Sequence, residues 1–165
     1  MRRFHVHVAV DDLAANVAFY SKLFGQPPAK RRPDYAKWML DDPRVNFAIS
    51  TQHAATGLNH FGMQAESAEE LAALRTQAEA AADGALRDEG SVACCYAQSD
   101  KHWTVDPQGI AWEHFMTTGE AAELATRGVG ASTGCCIPLH GGAGADSAEA
   151  PCCVPAEAGA DACCA

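Results

Sequence analysis

Two adjacent thiols, Cys94 and Cys95, lie in the middle of an otherwise ordinary globular stretch. Neighbouring cysteines rarely bond to each other, because the ring they would close is strained relative to the preferred disulfide geometry. Both thiolates can instead bind one soft ion or metalloid. Successive side chains of a regular strand point to opposite faces, so we expect a loop or bulge at the pair. The alternative is that one of the two cysteines packs in the core, as free cysteines often do.

All eight cysteines of the chain occur as such neighbouring pairs. The other six are Cys135, Cys136, Cys152, Cys153, Cys163 and Cys164, whose role the sequence leaves open. The start of the chain lacks the apolar segment and cleavage site of a secretory signal, so we expect a cytoplasmic protein with reduced thiols. The pairing of neighbours also argues against a disulfide framework. Repeated soft-metal or metalloid ligands are the preferred interpretation, with chance clustering in an alanine-rich tail as the alternative.

A second group with possible chemistry consists of His5, His60 and Glu113, each of which lies on a predicted strand. Two imidazoles and one carboxylate are the ligand set of a facial triad on Fe(II), which leaves positions open for dioxygen and substrate. The same ligands accept Ni(II) and Zn(II), so the sequence does not fix the metal. His7 lies on the same strand face as His5 and is the rival first ligand.

The positions of these ligands follow from an internal duplication. In the first half of the chain, the position that matches Glu113 falls at Ala48 or Ile49, and neither residue can bind a metal. We therefore expect three protein ligands rather than four. His53, in a predicted loop, and His102 and His114, beside the proposed site, remain unassigned.

The duplication shows in the order of predicted elements. A strand over 3–10, a helix capped by Asp12 and closed by Gly25, and strands over 35–40 and 45–50 form the first half. The second half repeats this order with a strand over 59–65, a helix that begins with a capping box at Ser67, and strand-like pieces over 86–88, 92–97, 103–105 and 111–117. The fold class is therefore α+β.

Composition changes after residue 118. Residues 120–127 could form a short helix, and about 128–165 are rich in Gly, Ala, Ser, Pro and paired Cys and contain no Phe, Tyr or Trp. Such a segment buries too little apolar surface to offset its ordering entropy, so we predict a flexible tail. The net charge of −9 argues against a nucleic-acid partner. The chain also has no apolar run of about 18 residues, so no membrane-spanning helix is expected.

Several motifs together resemble the glyoxalase/bleomycin-resistance/extradiol-dioxygenase superfamily over about residues 3–118. They are His5-x4-Val10-x-Asp12-Leu13, Phe19-Tyr20-Ser21-Lys22-Leu23-Phe24-Gly25, Asn59-His60 and Asp106-Pro107-x-Gly109-x-x-Trp112-Glu113. The resemblance implies a vicinal-oxygen-chelate (VOC) domain over 1–118, built from two paired βαβββ modules at about 3–50 and 59–118. Residues 119–165 would then form the short helix and the tail. Whether the modules pair within one chain or across a homodimer is left open.

Within that superfamily, three stretches look like the ArsI/CadI group. They are the Phe19–Gly25 stretch with Pro28-Ala29-Lys30, then Cys94-Cys95-Tyr96-Ala97, and finally Asp100-Lys101-x-Trp103. ArsI members are Fe(II)-dependent C–As lyases, and CadI names a cadmium-induced relative. The resemblance implies that Cys94 and Cys95 bind a trivalent organoarsenical while Fe(II) at His5, His60 and Glu113 activates dioxygen. Cleavage of the carbon–arsenic bond would release arsenite, with a methyl group leaving as formaldehyde, for arsenic detoxification.

Two other functions are consistent with the sequence. The first is a resistance protein that sequesters Cd(II) or As(III) through its cysteine pairs. The second is a metal-dependent glyoxalase-like isomerase, against which the missing fourth ligand counts. The sequence does not distinguish methyl from aromatic arsenicals.

Overall fold

The computed structural model describes residues 1–53, 55–94 and 96–121, with only the backbone described at Cys94. The elements follow in the order β1 (Arg3–Ala9), α1 (Leu13–Leu23), β2 (Lys30–Arg32), β3 (Tyr35–Asp41), β4 (Arg44–Ser50), β5 (Gly57–Ala65), α2 (Ala68–Ala81), β6 (Arg87–Cys94), β7 (Ala97–Val105) and β8 (Ala111–Glu120). One strand, one helix and three strands thus occur twice. The predicted duplication of βαβββ modules is confirmed.

The two modules form one mixed sheet of eight strands in the order β2-β3-β4-β1-β5-β8-β7-β6. In each module the first strand pairs with the last in parallel, β1 with β4 and β5 with β8. The modules join where β1 and β5 pair antiparallel. The order of strands in one half therefore mirrors the order in the other, and both modules pair within one chain.

The helices cover one face of this sheet, and the opposite face lines a cavity. The core under α1 consists of Val10, Leu13, Val17, Ala36, Trp38 and Ile49. Along β1 the side chains alternate as predicted, with His5 and His7 only 5% and 3% exposed and Phe4 36% exposed. The face that bears the histidines is therefore the more deeply buried one.

Local signals in the sequence explain where the helices begin. The side chain of Asp12 accepts a hydrogen bond of 2.9 Å from the backbone N–H of Ala15, and Ser67 accepts one of 3.2 Å from Glu70. Both helices are capped as predicted. Gly25 follows α1 at a φ of 68°, a conformation that favours glycine.

The second module departs from the predicted boundaries at its end. Residues 87–88 and 92–94 of the two pieces predicted over 86–88 and 92–97 belong to the single strand β6, and β7 begins at Ala97 rather than at Trp103. Strand β8 continues to Glu120, which pairs with Ala97, so the helix predicted over 120–127 does not begin there. The rest of that helix and the predicted tail over 128–165 lie outside the described residues. Within the described ranges, neither helix has the length and apolar character needed to cross a membrane.

Candidate metal centre

Three side chains from three strands meet inside the cavity: His5 on β1, His60 on β5 and Glu113 on β8. The Nε2 atoms of the two histidines lie 3.2 Å apart. Oε2 of Glu113 lies 3.6 Å from Nε2 of His5 and 3.4 Å from Nε2 of His60. All three residues are buried. The structure therefore brings together the three residues that the sequence singled out as metal ligands.

The register of the sheet explains this convergence. His5 pairs with Gly62 across β1 and β5, and Gly62 pairs with Glu113 across β5 and β8. His60 lies two residues before Gly62 and therefore faces the same side of the sheet. A Cβ atom at Gly62 would meet the backbone carbonyl oxygen of Glu113 at 2.1 Å. Glycine at this position thus permits the close approach of β5 to β8.

The donor atoms fit a divalent transition metal. Bonds of about 2.1 Å at right angles place neighbouring ligand atoms about 3.0 Å apart. The three distances between His5, His60 and Glu113 exceed that value by a few tenths of an ångström. Small side-chain movements would therefore complete a facial set. Imidazole and carboxylate together suit Fe(II), Mn(II), Ni(II) and Zn(II).

Hydrogen bonds orient both imidazoles toward this point. Nδ1 of His5 donates to the backbone carbonyl of Asn46 over 2.9 Å, because a carbonyl can only accept. Nδ1 of His60 lies 2.7 Å from Oδ1 of Asn59. With both Nδ1 atoms protonated, the lone pairs lie on the two Nε2 atoms that face each other, as ligand histidines require.

Lys101 on β7 is a second charged group at the site. Its Nζ donates to Oε1 of Glu113 over 2.9 Å and lies 3.9 Å from Oε2 of Glu89. Burial alone raises the pKa of Glu113, but the charge of Lys101, with His60 and His5, outweighs burial and holds that pKa well below its usual range. Glu113 is therefore a carboxylate whose Oε2 faces the two histidines.

The sequence alone indicated no role for Lys101, although the residue lies in the Asp100-Lys101-x-Trp103 motif. The signal that could have found it is the alternation along β7. Ser99, Lys101 and Trp103 point into the cavity, which places a lysine at an inward position. A buried lysine requires a partner, and a carboxylate on the neighbouring strand is the expected one.

Burial keeps His5 and His7 neutral. Burial lowers the pKa of His5 to about 4, although Glu113 acts in the opposite direction. Burial, followed by the charges of His60 and His5, lowers the pKa of His7 well below its usual value. Both rings are thus neutral near pH 7, which is the form that binds metals.

His7, the rival first ligand, lies in the same cavity. One potential ligand atom from each of His5, His7 and His60 lies within 4.8 Å of the others. Nε2 of His7 is 2.9 Å from the hydroxyl of Ser50. Of these two rival ligands, His5 is the one whose Nε2 lies within 4 Å of a Glu113 carboxylate oxygen.

The first module supplies no counterpart of Glu113. His7 pairs with Ala48 across β1 and β4, just as Gly62 pairs with Glu113 across β5 and β8. Because His7 and Gly62 each lie two residues after the first histidine of their module, Ala48 rather than Ile49 occupies the position of Glu113. Ala48 lines the cavity without a donor atom.

Cys94 is the last residue of β6, where its backbone pairs with Ala97. Ala97 and Ser99 of the adjoining strand line the cavity, so the backbone of Cys94 lies one strand from its wall. Cys95 lies outside the described residues. The loop or bulge expected for the two thiols stays a prediction.

Tyr96 fixes the end of the β6–β7 hairpin to the opposite end of the sheet. The Tyr96 hydroxyl donates to Oδ1 of Asp34 over 2.7 Å, and Nζ of Lys30 donates to the Tyr96 carbonyl over 2.6 Å. The guanidinium of Arg32 lies 5.4 Å from the centre of the Tyr96 ring. The first module thus holds the hairpin on which Cys94 lies.

The other histidines of the described residues divide between the two faces of the sheet. His53 lines the cavity, where its ring centre lies 5.2 Å from that of His7. The ring centres of His102 and His114 lie 5.0 Å apart on the opposite face, beside residues of α2. Their sequence neighbours Lys101, Trp103 and Glu113 point into the cavity, so strand alternation turns this pair away from the site.

These observations agree with comparisons to known proteins. The family model of the Glyoxalase/Bleomycin resistance protein/Dioxygenase superfamily matches residues 2–114. The chain belongs to this superfamily. A variant of Streptomyces coelicolor methylmalonyl-CoA epimerase, bound to 2-nitronate-propionyl-CoA, superposes with a TM-score of 0.52 at 15% identity, covering 72% of this chain and 99% of its own. That likeness supports the VOC-type fold alone.

Two curated relatives narrow the position of the chain within the superfamily. It is 40% identical over 141 residues to the trivalent organoarsenical cleaving enzyme of Bacillus sp. (strain MD1), covering 83% of this chain and 84% of the relative. It is 33% identical over 122 residues to the cadmium-induced protein CadI of Mycobacterium bovis, covering 73% of this chain and 80% of the relative. The resemblance to the ArsI/CadI group is confirmed.

Proposed function

We propose that this superfamily member is an Fe(II)- and dioxygen-dependent C–As lyase that converts trivalent organoarsenicals such as methylarsenite to arsenite. The observation that carries the proposal is the proximity of two different ligand sets. His5, His60 and Glu113 converge in the cavity, and the backbone of Cys94 lies beside its wall. The name of the Bacillus relative supports the substrate class.

The two ligand sets suit the two reactants. Trivalent arsenic is soft and binds thiolates, whereas Fe(II) is held by imidazole and carboxylate with positions left open. Cys94 and Cys95 therefore hold the arsenic, and His5, His60 and Glu113 hold the metal. When bound, the metal supplies the activation of dioxygen.

The reaction balances without a further reductant. One methylarsenite and one dioxygen give one arsenite and one formaldehyde. The carbon–arsenic bond breaks, dioxygen oxidises the methyl carbon, and arsenic stays trivalent with one more oxygen ligand. The protein therefore has to supply positioning, a dry site and a metal, but no second redox group.

Other residues of the chain support these roles. Lys101 occupies Oε1 of Glu113, which leaves Oε2 for the metal. Trp103 and Phe115 line the cavity beside this pair and limit the access of water. Asp34 and Lys30 hold Tyr96, which follows the two thiols directly in the sequence.

The decisive experiment is arsenic speciation after incubation of reduced, iron-loaded protein with methylarsenite. Arsenite and formaldehyde are expected in air in equal amounts, and neither product under anaerobic conditions. Equal arsenite release with and without dioxygen contradicts the proposal. Reloading the metal-free protein with Ni(II) or Zn(II) identifies the metal that supports turnover.

Variants separate substrate binding from metal binding. Cys94→Ser or Cys95→Ser is expected to abolish methylarsenite binding while the iron content stays unchanged. Glu113→Ala is expected to lose both iron and turnover. The matched control is the double variant Cys152→Ser with Cys153→Ser, which removes a neighbouring thiol pair of the same kind and should retain turnover. Normal turnover after loss of both Cys94 and Cys95 excludes the proposed thiol site.

A second candidate function is sequestration of Cd(II) or As(III). The observation that favours it is the number of neighbouring cysteine pairs, because three of the four lie after residue 118. A sequestering protein binds arsenic without releasing arsenite and needs no dioxygen. The control variant of the previous experiment also tests this function, since it would then lower the amount of metal bound per chain.

A further inference from the structure

His7 is a buried imidazole for which the proposed reaction has no role. It is 3% exposed, and one potential ligand atom on each of His5, His7 and His60 lies within 4.8 Å of the others. The centre of its ring lies 4.9 Å from that of His60. His7 therefore lies close enough to His5 and His60 for the three imidazoles to share one metal ion.

The symmetry of the two modules shows why His7 stands there. His5 of the first module matches His60 of the second, so His7 matches Gly62. The second module then places a carboxylate beside Gly62, whereas the first module places Ala48 beside His7. The first module therefore lacks a donor at the position of Glu113 but has one on the neighbouring strand.

The hydrogen bond that His7 makes is compatible with a role as a metal ligand. Its one hydrogen bond in the described structure joins Nε2 to the hydroxyl of Ser50. A hydroxyl can donate or accept, so this contact is compatible with a lone pair on either ring nitrogen. The contact fixes the ring as outer hydrogen bonds fix ligand histidines. Burial of an imidazole next to two others is also costly unless a shared ion or hydrogen bonds compensate.

We propose that His7 is a fourth protein ligand of the metal held by His5, His60 and Glu113. The site then offers three imidazoles and one carboxylate, and a six-coordinate ion keeps two open positions instead of three. The inference rests on the proposed metal centre. It also assigns the arsenic to the thiols rather than to the metal, since fewer metal positions remain.

Mn(II) is a suitable probe, because this hard ion binds poorly to the soft thiolates of the cysteine pairs. The metal-free full chain is titrated with Mn(II), and the loss of the electron paramagnetic resonance signal of free Mn(II) measures how much of the ion has bound. This titration gives the dissociation constant. Pulsed measurements on the bound ion count the nitrogen atoms that coordinate it directly. Three coordinated nitrogens are expected in the unaltered protein.

His7→Gln keeps a polar group for Ser50 and removes the imidazole. Two coordinated nitrogens and a dissociation constant raised by at least about 10-fold are expected, since even loss of a ligand's hydrogen-bond partner costs about 10–100-fold. His7→Ala serves as a second variant, with circular dichroism as the check on folding. His53→Ala is the matched control, because it removes a cavity imidazole next to His7 and should leave both readouts unchanged.

Two coordinated nitrogens in the unaltered protein, or an unchanged nitrogen count in His7→Gln, overturn the inference. Failure of the metal centre itself has a different signature. In that case His5→Ala and Glu113→Ala bind Mn(II) as tightly as the unaltered chain does.

Discussion

The two modules share one frame but differ in what they place on it. At equivalent positions beside the cavity, the first module carries His7 and Ala48 where the second carries Gly62 and Glu113. The carboxylate, its lysine partner and the glycine that permits the close approach of β5 to β8 all belong to the second module. The duplicated sheet therefore fixes where a ligand can stand, and single residues decide which module provides it.

The modules also differ on the face that the helices cover. Ala36 and Ile49 pair across β3 and β4 and are fully buried. The equivalent pair across β7 and β8 is His102 with His114, each at most 8% exposed. An apolar pair in one module thus matches two titratable rings in the other, and the second module should respond to acid where the first does not.

The first prediction exchanges the carboxylate between modules and carries the largest expected effect. Glu113→Ala should weaken Mn(II) binding by more than about 100-fold, since it removes a direct ligand. Adding Ala48→Glu to that variant places a carboxylate at the equivalent position of the first module. Mn(II) titration should then show partial recovery of affinity, because the mirrored register directs the introduced carboxylate toward the same histidines.

The matched control for this exchange is Glu113→Ala with Ala48→Gln, which adds similar volume at position 48 without a charge. It should not recover binding. Equal recovery with glutamine, or none with glutamate, would show that the two positions are not equivalent with respect to the metal.

The second prediction concerns the close contact that the second module alone contains. Gly62→Ala forces a Cβ against the Glu113 carbonyl, and backbone cannot yield as a flexible side chain does. Separation of β5 from β8 should cost about 3 kcal/mol in the free energy of unfolding, measured by urea denaturation. It should also weaken metal binding, because β8 carries Glu113.

Gly119→Ala is the matched control, since it lies in β8 and its added Cβ would meet Gln98 at an ordinary 3.8 Å. Its unfolding free energy should change by no more than about 0.5 kcal/mol. Equal destabilisation by the two substitutions would show that the cost of alanine at position 62 does not arise from the contact with Glu113.

Local rules made most of the fold predictable. Alternation identified β1, the caps at Asp12 and Ser67 marked both helices, and the repeated order of elements gave the duplication. The boundaries within β6 and β7 were wrong, because polar residues and Gly90 interrupt the apolar pattern, while pairing of β6 with β7 and of β7 with β8 extends the strands. Which residues pair across a sheet depends on the strand register, and the register leaves no local signal in the sequence.

Part of the candidate site could also be predicted from the sequence. His5 and His60 follow from equivalent positions in a duplication, which a sequence displays, and Glu113 follows from its place in the strand after the turn at Asp106–Gly109. The contact of Lys101 with Glu113 depends on strand register, and so does the choice of Ala48 over Ile49. Register is set by three-dimensional pairing and becomes visible only in the structure.

The third prediction tests the difference beneath the helices and carries the smallest expected effect. Burial, followed by His114 and Arg75, lowers the pKa of His102 to about 4, while Asp88 acts in the opposite direction. The unfolded chain takes up a proton near pH 6.5, and the folded chain does not until about pH 4. Stability from this residue is therefore complete above about pH 6.5 and declines as the pH falls toward about 4.

Replacing the two histidines with the equivalent residues of the first module should remove this dependence of stability on pH. The double variant His102→Ala with His114→Ile reproduces the Ala36 and Ile49 pair. Between about pH 6.5 and 4.5, its unfolding free energy without metal should fall by about 2 kcal/mol less than that of the unaltered chain. Leu74→Ala in α2 is the control for lost packing, because it should lower stability equally at every pH. The unfolding free energy of the double variant could instead fall as steeply with pH as that of the unaltered chain. In that case the loss of stability in acid arises from the cavity histidines, and the two helix-covered faces respond alike to acid.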